Sequence, residues 1–176
     1  MGRITDLSEE AYRNVYDTLS DSRRTHIDRM KTADARRRSL LATRLLSSLL
    51  AKRGQPNVLL ETDADGKPFL SGSDLFVSIS HSDEVVVCAV DDSAVGIDVE
   101  KIRPVDRKLI TYVCTERELA YVLQDETDIP CRFFEVWTAK EAAYKHDGGS
   151  TPLRAIETLS RSKQQYVIDG YYITVI

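Results

Sequence analysis

AVGIDVEKIRP, Ala94 to Pro104, sets two carboxylates, Asp98 and Glu100, into a run that otherwise has the composition of a buried strand. Successive side chains of a strand alternate between faces, so Asp98 and Glu100 share one face while Ile97 and Val99 take the other. Like charges placed side by side raise each other's pKa unless a cation or several donors stand between them. A positive group is therefore expected beside this strand.

Working outward, the 176 residues suit one domain with its own core, and 42% hydrophobic with 30% charged residues is ordinary for a soluble globular protein. No apolar run reaches the roughly 20 residues of a membrane span, and the opening MGRITDLSEE lacks the apolar centre of a signal peptide. A cytoplasmic protein is expected. Cys88, Cys114 and Cys131 are odd in number and lack metal-type spacing, which suits reduced, buried thiols. The net charge of −4 is unevenly spread: residues 1–53 hold 12 Lys and Arg against 7 Asp and Glu, leaving 12 against 21 for the remainder. Such a basic segment suits a polyanionic partner, and equally an ordinary solvated helix face.

From Ser8 to about Ala51 apolar residues recur at helical spacing, most clearly in SLLATRLLSSLLAKRG, where Leu41, Leu45 and Leu49 form a stripe and Gly54 closes the helix. NVLLETDADGKPFL reads as a strand, a turn at Asp65-Gly66 and a second extended piece. DLFVSISHS is a strand ending in polar residues. EVVVCAVDDSAVGIDVE is expected to be a hairpin turning over Asp91 to Ala94. Thr115 and Glu118 form a capping box for ERELAYVLQDE, a further helix runs from about Pro130 to Gly148, and QQYVIDGYYITVI is a hairpin about Asp169-Gly170.

On that later helix, VWTAKEAAYKHDG, Glu141 and Lys145 lie four residues apart on one face, with Trp137 a turn earlier. Alone, such a Glu and Lys make a common surface ion pair. Together with the strand, Asp98, Glu100 and Glu141 offer three hard oxygen ligands from two elements, a donor set suited to Mg²⁺ with water and substrate phosphate completing the shell. The ion would remove the carboxylates' repulsion and grip a pyrophosphate, and Lys145 would bind a phosphate or protonate a leaving group.

DGKPFL, VSISHS, VGIDVE and VWTAKEAAYK, in this order and at these separations, resemble the signature motifs of the 4'-phosphopantetheinyl transferases, in particular the Sfp-type branch, over roughly Arg23 to Gly148. The resemblance implies transfer of the phosphopantetheine arm of coenzyme A to a serine of an apo acyl or peptidyl carrier protein, with release of adenosine 3',5'-bisphosphate. It implies Mg²⁺, with Mn²⁺ as the alternative ion, on Asp98, Glu100 and Glu141, and a base or positioning role for Glu141. Lys145 matches the lysine that assists pyrophosphate cleavage. Ser80 and His81 match phosphate contacts, and Lys67 matches another coenzyme A contact. Arg37 in DARRRSLLA matches the family's helical arginine, and Arg23 falls near a phosphate-binding lysine. The carrier would dock near Lys101–Val113, whose cations suit its acidic helix and whose Ile102, Val105, Leu109 and Ile110 suit its apolar residues.

The implied architecture is α+β, one domain over 1–176 made of two similar, pseudo-twofold-related halves, approximately 1–94 and 95–176. Each half is a small, mainly antiparallel sheet on a long helix, with coenzyme A and Mg²⁺ between them. Relative to the family the chain reads as shortened at both ends. It opens almost directly on a helical segment, without the usual first strand, and stops at Ile176 a strand or more early. Neither nucleic acid nor membrane is an expected partner, and the oligomeric state is open. A coenzyme A- or carrier-binding module without turnover, or another Mg²⁺-dependent pyrophosphate-cleaving enzyme, are the rival readings.

Overall fold

The computed structural model describes residues 1–63 and 66–176, and the expected turn residue Asp65 lies outside them. The chain is α+β and divides into two compact units, Met1–Ala94 and Val95–Ile176.

In the first unit the long helical segment resolves into three helices: α1 Glu9–Asp17, α2 Asp21–Asp28 and α3 Ala33–Lys52. No glycine or proline separates them. The breaks come from side-chain caps, because Ser8, Ser20 and Thr32 each accept a hydrogen bond from the backbone N–H three residues on, at 3.1–3.2 Å. A short strand, β1 Gly2–Arg3, precedes them and pairs with Val85–Val86, where the sequence suggested an almost immediate helical start. Two residues carry too little periodicity to be read from sequence.

Strands β2 Leu59–Thr62 and β3 Pro68–Ser71 form a separate hairpin, while β4 Phe76–Ser82 and β5 Val85–Asp91 complete a sheet in the order β1-β5-β4. The α3 helix covers this sheet, burying Leu40, Leu41 and Ala42 with Tyr12, Ile27 and Val86, and Leu46 and Leu50 with Leu60 and Leu70. Each such leucine contributes about 1.5–3 kcal/mol by leaving water.

The second unit contains β6 Ile97–Lys101, α4 Arg107–Val113, α5 Glu116–Leu123, α6 Ile129–His146, β7 Gln164–Ile168 and β8 Tyr171–Val175, with sheet order β6-β8-β7. The expected hairpin between β5 and β6 is not formed. The described partners of β5 are β4 and β1, and β6 pairs with β8 in the register Asp98↔Thr174 and Glu100↔Tyr172. A turn-rich DDSA between two β-branched runs looks like a hairpin loop but joins two units instead.

The tail hairpin about Asp169-Gly170 is present, with both residues at positive φ as a two-residue turn requires. Helix α6 lies on β6 and β8, its Phe133, Phe134 and Val136 forming the core with Ile110, Val113, Val122 and Tyr172. Gly96 makes the closest approach. A Cβ there would lie 1.8 Å from the Ala142 carbonyl oxygen, so only glycine lets the start of β6 meet α6.

Candidate active site

Pairing of Asp98 with Thr174, whose hydroxyl meets Thr138 of α6 at 2.7 Å, turns the Asp98 and Glu100 face of β6 toward that helix. The positive group expected beside the strand is Lys145. Its ammonium donates to Asp98 Oδ1 at 2.7 Å and to the Ile97 carbonyl at 3.0 Å. Asp98 is buried and Lys145 half-buried, so this pair is shielded from solvent. Lys145 therefore bonds across to the strand, where the four-residue spacing pointed to Glu141.

Glu141 is half-buried on the same helix. Burial pushes its carboxyl above the usual range, Asp98 and Glu100 push it further by like-charge repulsion, and Lys145 acts in the opposite sense. The three carboxylates thus feel one another. They are not gathered into a ligand cage, because among the described residues no three carboxylate, imidazole or thiol groups are drawn together as a metal site. The donors fit Mg²⁺ in kind, being hard oxygens whose repulsion a cation would cancel.

Glu100 sits half-exposed, 3.5 Å from Arg103, at the rim of a small cavity of about 160 Å³ floored by Phe133, Phe134 and Trp137. Trp137 stacks on Phe133 with ring centroids 6.0 Å apart.

One residue before Glu141, Lys140 is fully buried. It meets Glu118 Oε2 at 2.7 Å and the carbonyls of Leu153 and Ile156. Burial alone would push the Glu118 carboxyl up, but Lys140 and hydrogen bonds from Thr115 and Thr158 outweigh it and hold the group below the usual range. Glu118 was legible only as a capping residue, and the structure keeps that box while adding the buried ammonium. Lys140 and Gly96 escaped notice although both stand inside the quoted motifs. Their signal was a lysine in the apolar row of an amphipathic helix, and a glycine opening a strand.

The basic groups expected to meet coenzyme A fall in the first unit. A pocket of about 320 Å³ is lined by Arg23, His26, Arg38, Ser39, Thr62 and His81, among others. Arg23 is buried, with NH1 donating to Thr62 Oγ1 at 2.6 Å and NH2 to Ser39 Oγ at 2.8 Å. Burial depresses its pKa, with Glu61 as the opposing charge. The Nε atoms of Arg23 and Arg38 are buried without an acceptor.

Arg37 is not part of this pocket. It turns to Glu9 and lies over the Tyr12 ring, and its neighbour Arg38 enters the pocket in its place. Adjacent helical residues point about 100° apart, so a one-residue misplacement on three consecutive arginines changes the face. His81 lines the pocket, whereas Ser80, the next residue along β4, faces the opposite side of the sheet. Lys67 is exposed and does not line the pocket; its backbone N–H donates to Asp63 Oδ1 at 2.8 Å.

Residues 94–173, which carry β6, α6 and the Asp98–Lys145 pair, match the family model described as the 4'-phosphopantetheinyl transferase superfamily. That match covers less than half of the chain. Relatives include the 4'-phosphopantetheinyl transferase gsp of Aneurinibacillus migulanus, 39% identical over 93 residues, covering 52% of this chain and 39% of the relative. The 4'-phosphopantetheinyl transferase Sfp of Bacillus subtilis is 27% identical over 147 residues, covering 81% of this chain and 66% of the relative. The 4'-phosphopantetheinyl transferase AcpT of Salmonella typhi is 37% identical over 123 residues, covering 65% and 61%. The chain therefore spans less than two thirds of the length of each of these 4'-phosphopantetheinyl transferases. No helix of the described residues is long and apolar enough to cross a membrane.

Proposed function

We propose that this chain is a 4'-phosphopantetheinyl transferase, moving the 4'-phosphopantetheine arm of coenzyme A to a serine of an apo acyl or peptidyl carrier protein and releasing adenosine 3',5'-bisphosphate. The observation that carries the reading is the shielded Lys145–Asp98 pair beside a half-buried Glu141, on the two elements that match the family. Bound to Asp98, Glu100 and Glu141, Mg²⁺ would supply the charge that grips a pyrophosphate.

The chain's own groups do the rest by positioning and electrostatics. Lys145, already held by Asp98 and the Ile97 carbonyl, presents a fixed positive charge to a phosphate oxygen and can follow the charge that develops on the leaving phosphate. Glu141, its carboxyl pKa raised by burial and by Asp98, is suited to accept a hydrogen bond or a proton from the attacking hydroxyl. The Arg23, Arg38 and His81 pocket suits a phosphate of the nucleotide.

For the carrier, α4 offers exposed Leu109 and Tyr112, 43% and 69% accessible, next to Arg107 and Lys108, which supports docking of an acidic helix with apolar residues over Lys101–Val113.

The test is incubation of the purified chain with coenzyme A, Mg²⁺ and apo carrier proteins, followed by intact-mass measurement. A carrier serine gains the phosphopantetheine mass, EDTA abolishes the gain, and excess Mg²⁺ restores it. Adenosine 3',5'-bisphosphate appears only when a carrier is present. Its release from coenzyme A alone would favour a pyrophosphate-cleaving enzyme, and tight coenzyme A binding with no mass gain on any carrier would favour a binding module.

A further inference from the structure

The basic pocket of the first unit holds a residue that the family motifs did not point to, His26. It lies on α2 one turn after Arg23, half-buried, and lines the same cavity. The charges around it come from several elements. Its own helix supplies Arg23 and, at the C-cap, Arg29, α3 supplies Arg38, and β4 supplies a second imidazole, His81. From β2 comes the Thr62 hydroxyl that Arg23 holds, with Glu61 beside it, and that carboxylate receives a hydrogen bond from Ser22. β3 and β5 contribute Pro68 and Val86, which are uncharged. Among the described residues no carboxylate lines the cavity.

An imidazole in this setting is kept neutral by its surroundings. Burial comes first, and the guanidinium groups of Arg23 and Arg29 add repulsion, so its pKa lies below the ordinary value. A phosphomonoester dianion entering the cavity reverses that field. Arg23 and Arg38 both line the cavity, so the ligand sits beside two guanidinium groups, and the net charge near His26 changes from positive to near neutral or negative.

We propose that His26 is the proton-accepting member of this anion site: entry of a phosphomonoester dianion draws one proton from solvent onto its imidazole, so the protein takes up phosphate and proton together. This rests on the reading of the pocket as a phosphate site and adds to it a named residue and a pH dependence. Between the midpoint of free His26 and the higher midpoint of bound His26 the affinity for the dianion falls by up to about tenfold per pH unit, the limit for one linked proton.

The chain has three histidines, so the ring Cε1–H signals can be followed individually by NMR after assignment with His26→Gln and His81→Gln. With adenosine 3',5'-bisphosphate as the probe, saturation raises the His26 midpoint by about one to three pH units. Calorimetry in two buffers of different ionisation enthalpy shows close to one proton taken up between the free and bound midpoints. That uptake is lost in His26→Gln, and His26→Lys binds with a flatter pH profile. The NMR readout uses the unaltered protein, so a poorly folded variant does not blunt the test. An unmoved His26 midpoint under saturation overturns the proposal, as does uptake that survives in His26→Gln and disappears in His81→Gln. Failure of the wild-type chain to bind the bisphosphate at any pH overturns the phosphate-site reading itself, whereas binding without a His26 shift leaves that reading standing and removes only this one.

Discussion

Among the described residues each unit buries one long cationic side chain, and the two are treated in opposite ways. Lys140 in the second unit has a carboxylate at 2.7 Å and two carbonyl acceptors, and its partner Glu118 takes three further hydrogen bonds from Thr115 and Thr158. Arg23 in the first unit has hydroxyl partners on NH1 and NH2 and no carboxylate in hydrogen-bonding contact, and its Nε is buried without an acceptor. A buried cation with its charge and hydrogen bonds fully met is a fixed part of the fold. A buried cation that opens onto a cavity, with its charge met only from a distance, is held in readiness for an anion.

The comparison breaks most visibly at Lys140. Lys140→Met leaves the Glu118 carboxylate buried without its cation and is expected to cost about 3–5 kcal/mol, read as a lower denaturant midpoint; the double variant with Glu118→Leu recovers most of the loss. Arg23→Met in the other unit is expected to leave stability unchanged or slightly raised, because desolvation of an unmatched guanidinium is removed. Its cost falls on the ligand, with affinity for adenosine 3',5'-bisphosphate dropping at least about tenfold through loss of a charged hydrogen bond. Equal stability losses at both sites would erase the distinction.

Gly96→Ala comes next. The added carbon would meet the Ala142 carbonyl at 1.8 Å, so β6 and α6 must separate, at about 1–3 kcal/mol or more. Since β6 carries Asp98 and Glu100 and α6 carries Glu141 and Lys145, the proposed transfer to a carrier should fall much further than the melting temperature suggests. Lys145→Met tests the charge alone. It is expected to lower kcat by about 100-fold, the scale for one preorganised donor facing developing charge, with some stability lost because buried Asp98 gives up its cation, while the Lys140–Glu118 pair persists.

These outcomes also mark how far the sequence could be read. The strand alternation in GIDVE and the helical spacing of Glu141 and Lys145 put the right side chains on facing surfaces, because both depend on local periodicity. Which carboxylate Lys145 would meet depended on how β6 registers against α6, a tertiary fact set by the glycine approach at Ala142. The same limit explains the pocket. Three consecutive arginines carry no local signal for which one turns inward, and only the packing of α1 on α3, with Glu9 holding Arg37, selects Arg38. The β5–β6 hairpin failed for a related reason, since a loop rich in Asp and Ser looks alike whether it reverses the chain within a sheet or leads into a second unit.

The smallest expected effect lies where α6 ends. Arg161 holds Asp147 by two hydrogen bonds, at 2.5 and 2.8 Å, with His146 Nδ1 at 2.7 Å from the same carboxylate. Arg161 and then His146 bring the Asp147 carboxyl down to about 2. A carboxylate depressed in the folded state binds fewer protons there than in the unfolded chain, so its stabilisation is complete above the ordinary Asp value near ~3.9 and is lost as pH falls through that value toward 2. Because the cluster is partly open to water, the loss is modest beside that at Lys140. Arg161→Gln should flatten the acid limb of a thermal-stability profile between about pH 4 and pH 2 while leaving stability at pH 7 only slightly reduced. An acid limb that stays equally steep in the variant would show that this clamp does not contribute, and that the end of the helix bearing Lys145 is fixed by its packing on β6 alone.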